Sequence, residues 1–156
     1  MSNAEAETIP EGYEPLPDNI GFTDNLAPCY RRIDQDSVSF GLFVQEQHCN
    51  LLGICHGGAL ATLADVAGGS SVNLARGVLA GSPTISLNLD YVAAARLGEW
   101  IQSETQQVTV KRRFAFCSGL IRGDRGIVVR FNGTFYIPDH DGMWQEGRTP
   151  DGLLGE

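Results

Sequence analysis

Positive charge is scarce in this chain. Lys and Arg together number 11 against 19 Asp and Glu, a formal net charge of −8. Such a chain lacks the electrostatic footprint of a nucleic-acid binder or of a protein that docks on anionic membrane. Long apolar runs are missing as well. No stretch approaches the length of a membrane span, and the N-terminus shows no basic-then-apolar leader. The four cysteines, Cys29, Cys49, Cys55 and Cys117, include no C-x-x-C pair. They read as reduced thiols of a cytoplasmic protein, in which the sequon Asn132-Gly133-Thr134 carries no meaning. His48-Cys49 and Cys55-His56 fit no tetrahedral zinc spacing, so no metal ligand set is expected.

What is present fits one domain, since 156 residues suffice for one real core. Residues 1–27 hold Pro10, Gly12, Pro15 and Pro17 with scattered acids and read as a flexible, loosely docked arm. Residues 139–156 read as a similar tail. Between them the hydrophobic period switches. Val38, Phe40, Leu42 and Val44 alternate as in a strand. Gly57 and Gly58 open a helix that should run to about Arg76 and end at Gly77. Gly68-Gly69 weakens that helix by roughly 1 kcal/mol per Gly, which points to a kink or to close packing. Ile85, Leu87, Leu89 and Tyr91 alternate cleanly. Trp100–Val110 is extended, Phe114–Ile121 is a mostly apolar strand, and residues 123–126 form a tight turn. Ile127 to Ile137 is a long alternating strand. One long helix and about five mainly sequential strands make an α+β fold. Strand count alone also allows ferredoxin-like and cystatin-like sheets.

The chemistry concentrates in His56-Gly57-Gly58 and the helical run behind it. A Gly pair allows unusual backbone angles and close approach to the main chain. Free N–H groups at the helix start favour an anion or oxyanion. The N–H of Gly57, or that of Gly58, is therefore the oxyanion candidate, set against a plain tight turn. Asp65 stands alone among Leu63, Ala64, Val66 and Ala67, and a carboxylate in such a setting usually has a partner or a task, set against a helix-surface Asp that simply faces water. It can serve as general base toward water or as a nucleophile that forms an anhydride. His56 either hydrogen-bonds substrate or braces its loop. Lys111-Arg112-Arg113 is the densest basic cluster and reads either as a solvated hairpin tip or as a phosphate site.

His56-Gly57-Gly58, then Asp65, with Asn50 six residues before the His, resembles the signature of hotdog-fold acyl-CoA thioesterases of the phenylacetate-pathway (PaaI-like) type. Thr84-Ile85-Ser86-Leu87, Tyr91 and Arg96-Leu97-Gly98-Glu99 fall where that family has its next strand and turn. The resemblance covers residues 28–138, and it departs at Val92-Ala93-Ala94-Ala95, where the family commonly has a Pro. It implies an antiparallel sheet wrapped around one central helix, and hydrolysis of an acyl-CoA to free acid and CoA without metal or cofactor. It implies that Asn50 helps hold the carbonyl or the water, against an Asn that simply makes a turn. It implies that Thr84 contacts the attacking water, with Ser82 and Ser86 as nearby substitutes, against an ordinary strand Thr. Gly58 and the basic cluster of Lys111, Arg112 and Arg113 would contact substrate. A homodimer is expected as the minimal unit, arranged as a dimer of dimers. The reason is reach: Gly57 and Asp65 lie about 12 Å apart along one helix, whereas reacting atoms must come to roughly 3–3.5 Å. Two antiparallel copies satisfy both. The rival readings are a non-catalytic acyl-CoA-binding protein and a hydratase or dehydratase on the same fold. Asn50 disfavours the latter, which would want an Asp there.

Overall fold

The computed structural model describes residues 7–78 and 81–139. One antiparallel sheet of seven strands curls around one long helix. The strands are β1 (Glu14–Pro15), β2 (Tyr30–Ile33), β3 (Val38–Phe43), β4 (Thr84–Tyr91), β5 (Trp100–Val110), β6 (Phe114–Gly123) and β7 (Gly126–Tyr136), and the helix α1 is Gly57–Arg76. Their order across the sheet is β1-β2-β3-β5-β6-β7-β4. The strand that follows the helix thus crosses to the far edge and, among the described residues, pairs only with β7. This is the expected α+β hotdog arrangement.

The helix has the expected limits for local reasons. His56 caps its start, and Gly77 ends it with φ 68°, a left-handed angle that Gly adopts without Cβ strain. Leu60, Leu63, Ala64, Ala67, Gly68 and Val72 turn inward against Phe40, Leu42, Ile101, Val129, Phe131 and Phe135. Gly68 marks close packing and not a break. A Cβ there would lie 2.8 Å from the ring of Phe135, which is fully buried.

The N-terminal segment differs from a loosely docked arm over its described part. β1 pairs with β2, and Leu26 joins the core. Tyr13 packs edge-on against Trp100 at 5.1 Å, and Phe43 and Tyr30 flank the same indole at 4.9 and 6.0 Å. These rings cover the outer face of β3, so β3 is buried on both faces instead of one. Aromatic contacts of this kind contribute about 0.5–1.5 kcal/mol each beyond burial, enough to hold a Pro-rich segment in place. The tail expected over 139–156 lies outside the described residues apart from Asp139. Among the described residues, no helix is long and apolar enough to cross a membrane.

Candidate active site

The site is built by α1 and the edge strand β4, which run antiparallel to each other. β4 begins beside the middle of α1 and ends beside its N-terminus, and each end makes one polar contact with the helix. At the first, Thr84 Oγ1 donates to Asp65 Oδ1 at 2.6 Å. At the second, Tyr91 OH donates to the Gly57 carbonyl at 2.8 Å.

The helix mouth explains both glycines. A Cβ on Gly57 would sit 3.3 Å from the Tyr91 ring, and one on Gly58 would sit 3.0 Å from His56 Nδ1. His56 Nδ1 accepts the Gly58 N–H at 2.8 Å. That places the imidazole proton on Nε2, a donor with no acceptor among the described residues. It also separates the two oxyanion candidates. The Gly58 N–H is engaged by His56, whereas the Gly57 N–H has no acceptor among the described residues. The open donor at the positive end of α1 is therefore Gly57.

Asp65 is half-buried. Thr84 holds one carboxylate oxygen, and the other has no partner among the described residues. A carboxylate fixed at one oxygen and open at the other can accept from water or attack a carbonyl carbon. The Thr84 hydrogen is directed at the carboxylate, and its oxygen lone pairs remain available. The substitutes named for Thr84 sit elsewhere. Ser82 donates to Asn73 Oδ1 at 2.6 Å and accepts from Arg76 at 2.9 Å. Ser86 is exposed, opposite Thr134 on β7.

Asn50 anchors the loop that delivers His56. Its Oδ1 accepts from Leu52 N–H at 2.9 Å and from Ile54 N–H at 3.4 Å, an Asx turn. The side-chain amide hydrogens have no acceptor among the described residues and can meet a ligand. His48 is 2 % exposed and is held at both ring nitrogens, Nδ1 by Gln45 N–H at 3.0 Å and Nε2 by the Leu26 carbonyl at 3.0 Å. It braces the core and has no lone pair left for a metal.

The basic cluster sits at the β5–β6 turn, which the Lys111 N–H closes onto the Phe114 carbonyl at 2.8 Å. Arg113 pairs with Asp139, while Lys111 and Arg112 are exposed and have no acidic partner among the described residues. The turn lies close to the Asp65 end of the site. Ile137 N–H donates to the Arg113 carbonyl and Tyr136 N–H to the Pro83 carbonyl, both at 2.8 Å, and Pro83 precedes Thr84. Tyr91 is the residue that sequence reasoning passed over. It read as a strand residue, and only the fold brings its hydroxyl to the helix mouth.

This architecture is that of a hotdog thioester hydrolase. The chain belongs to the thioesterase superfamily, whose family model matches residues 52–129. It is 34% identical over 131 residues to a Pseudomonas aeruginosa protein provisionally named as an esterase, covering 83% of this chain and 98% of that protein. Among solved structures it is similar to the PaaI protein from the phenylacetic acid degradation operon of E. coli, with TM-score 0.70, 20% identity, and coverage of 80% of this chain and 89% of that one. It is also similar to a thioesterase protein of Streptococcus pneumoniae solved with coenzyme A, with TM-score 0.62, 20% identity, and coverage of 70% and 85%. The two structural likenesses speak to the fold.

Proposed function

We propose that this protein hydrolyses acyl-CoA thioesters to the free acid and CoA in a site shared by two chains. The observation that carries this reading is the division of labour along α1. The open Gly57 N–H and the Thr84-held Asp65 carboxylate are eight residues apart, about 12 Å along the axis. No one substrate carbonyl reaches both within one chain. A second copy related by a two-fold axis brings the N-terminus of one α1 beside the middle of the other. The exposed edge strand supports such pairing. Among the described residues β4 has a neighbour on one side only, and Ile85 and Tyr91 on it are 53% and 54% exposed. An open apolar edge of that kind is a ready surface for a second strand.

In this reading the Gly57 N–H and the α1 dipole receive the oxygen of the thioester as negative charge develops on it. Asp65 of the partner subunit, oriented by its Thr84, either takes a proton from an attacking water or attacks the carbonyl carbon itself. The C–S bond then breaks and the thiolate leaves. The His56 Nε2–H is a donor for the carbonyl or the departing sulfur, and Asn50 presents its amide hydrogens to the carbonyl or the water. Lys111 and Arg112 bind the phosphates at the nucleotide end of CoA. The same reading makes the protein cytoplasmic, free of metal and cofactor, and a dimer of dimers. The name of the coenzyme A-bound Streptococcus pneumoniae neighbour supports CoA as the thiol half. The test is a thiol-release assay on a panel of acyl-CoA esters with and without EDTA. Release of CoA that survives chelation is expected, and a chain that binds acyl-CoA but releases no thiol would overturn the reading.

A further inference from the structure

Two thiols face each other immediately before the catalytic turn. Cys49 and Cys55 are antiparallel bridge partners, with the Asn50 loop between them. The surrounding hydrogen bonds fix the kind of pair. Asn50 N–H donates to the Ile54 carbonyl at 2.9 Å, and His56 N–H donates to the His48 carbonyl at 2.7 Å. Cys49 and Cys55 therefore occupy a non-hydrogen-bonded position between those two bonds. Such positions bring Cα atoms to about 4.5 Å and turn both side chains to one face. A disulfide accepts Cα separations of about 4.4–6.8 Å. Both residues are free thiols. The other two cysteines lack this relation. Cys117 stands opposite Val108 and Gly133, and Cys29 has no bridge partner among the described residues.

We propose that Cys49 and Cys55 form a redox-active pair, which a hydroperoxide converts to an intrachain disulfide that clamps the Asn50–His56 loop and reversibly slows the hydrolase. Cys49 is half-buried and Cys55 is 5% exposed, so Cys49 meets the oxidant first. Its thiolate attacks one peroxide oxygen and the O–O bond breaks. The other oxygen leaves and is protonated, and Cys49 becomes a sulfenic acid. The Cys55 sulfur then attacks the Cys49 sulfur. The S–O bond breaks, and the hydroxide leaves with the Cys55 proton as water. Two thiols are oxidised by two electrons and one peroxide is reduced. Burial pushes the Cys55 thiol up to about 12, and the neighbouring Cys49 adds to that rise.

The effect on activity rests on the function proposed above. Opposed Cβ atoms at about 4.5–5.5 Å close to about 3.8 Å in a disulfide. That pulls the residue next to His56 by roughly an ångström, a displacement that costs up to about 10²-fold when it reaches a reacting group. The experiment treats the purified full chain with hydrogen peroxide, blocks the remaining thiols with an alkylating agent, and reads intact mass, cross-linked peptides and thiol release. The expected result is the loss of two hydrogens, one cross-link between residues 49 and 55, and activity lowered about tenfold or more and restored by dithiothreitol. Cys49→Ser should hydrolyse as the reduced chain does and ignore peroxide. Cys55→Ser should halt at a Cys49 sulfenic acid that dimedone captures. Oxidation of Cys49 onward to sulfinic acid with no cross-link would overturn the pairing. A cross-link with unchanged turnover would overturn the clamp. If the reduced chain hydrolyses no thioester, the proposed function fails, while the mass readout still decides the pair.

Discussion

Replacing Asp65 with Asn should separate chemistry from folding. The variant keeps the side-chain shape and keeps an oxygen to accept the Thr84 hydrogen; the Thr84 Oγ1 now lies 2.6 Å from the Asp65 carboxylate oxygen. A hydrogen bond to a charged group contributes about 1.5–3 kcal/mol and a neutral one about 0.5–1.5 kcal/mol. The fold should therefore lose on the order of 1 kcal/mol, and less where solvent screens this half-exposed site. The chemical loss is larger. A carboxamide neither takes a proton from water at neutral pH nor attacks a thioester carbon, and general-base assistance alone is worth about 10²–10⁴ in rate. The expectation for Asp65→Asn is a kcat at least about 100-fold lower, equivalent to about 2.7 kcal/mol of transition-state stabilisation, with KM changed by no more than about 3-fold. Initial rates of CoA release give the kinetics, and thermal unfolding gives the fold. Thr84→Val retains the charge and removes its orienting donor. It should fall between wild type and Asp65→Asn, about tenfold down, the equivalent of one charge-assisted hydrogen bond. Turnover in Asp65→Asn within about 3-fold of wild type would remove Asp65 from the reaction. An equal loss in kcat and in thermal stability would reduce it to a structural residue.

Three further outcomes follow from the geometry. Lys111→Ala with Arg112→Ala should raise KM for acyl-CoA roughly tenfold, in line with lost phosphate contacts, and spare short pantetheine thioesters; an equal loss on both substrates would make the turn a structural element. Asp65→Asn chains mixed with chains disabled at Gly57 should regain one working site per heterodimer, read as recovered thiol release after shown subunit exchange, and a dead mixture or an active monomer would refute the shared site. Gly68→Ala should gain about 1 kcal/mol of helix propensity and lose about 1–3 kcal/mol by overpacking, because its new methyl would meet the buried Phe135 ring at 2.8 Å; a lowered urea midpoint is expected, and a raised one would show that the ring yields freely.

What the sequence made legible was whatever local chemistry decides. The limits of α1 were legible in the Gly57-Gly58 pair that opens it and in Gly77 beyond its end, whereas the capping role of His56 emerges only in the structure. The alternation of β4 and β7 survives because each packs one face on the helix and leaves the other open. β3 breaks that pattern, since partners some sixty residues away in sequence (Trp100) and upstream of it (Tyr13, Tyr30) cover its outer face. No periodicity foretells such cover. β1 is two residues long and includes Pro15, and β2 includes Arg31 and Arg32, so neither looks like a strand until paired. Gly68 left open a kink or close packing, because the choice depends on where Phe135 lands. Arg113 looked equal to Arg112 until Asp139, 26 residues on, paired with it.

The edge strand is where these levels meet. β4 is the most exposed of the strands longer than two residues, yet both polar contacts that organise the site are made from its two ends. Its length explains this. Eight extended residues span roughly 23 Å between the first and last Cα, against about 12 Å between Gly57 and Asp65 on the helix. The strand therefore overreaches the stretch between Gly57 and Asp65, and the Thr84 and Tyr91 side chains reach back to the helix from its two ends. The pairing of β4 with β7 in register from Ser86 to Tyr91 fixes where those two ends fall. The bulge between Thr84 and Ser86 lies beside the residue that touches Asp65, where a local change of strand direction re-aims a side chain. A one-residue slip of β4 would reverse its faces and take both hydroxyls off the helix. In the proposed dimer the open side of this same strand meets its copy. The contact that completes the shared site then also holds the register on which Thr84 and Tyr91 depend, which ties catalytic geometry to association in a way that an isolated chain lacks.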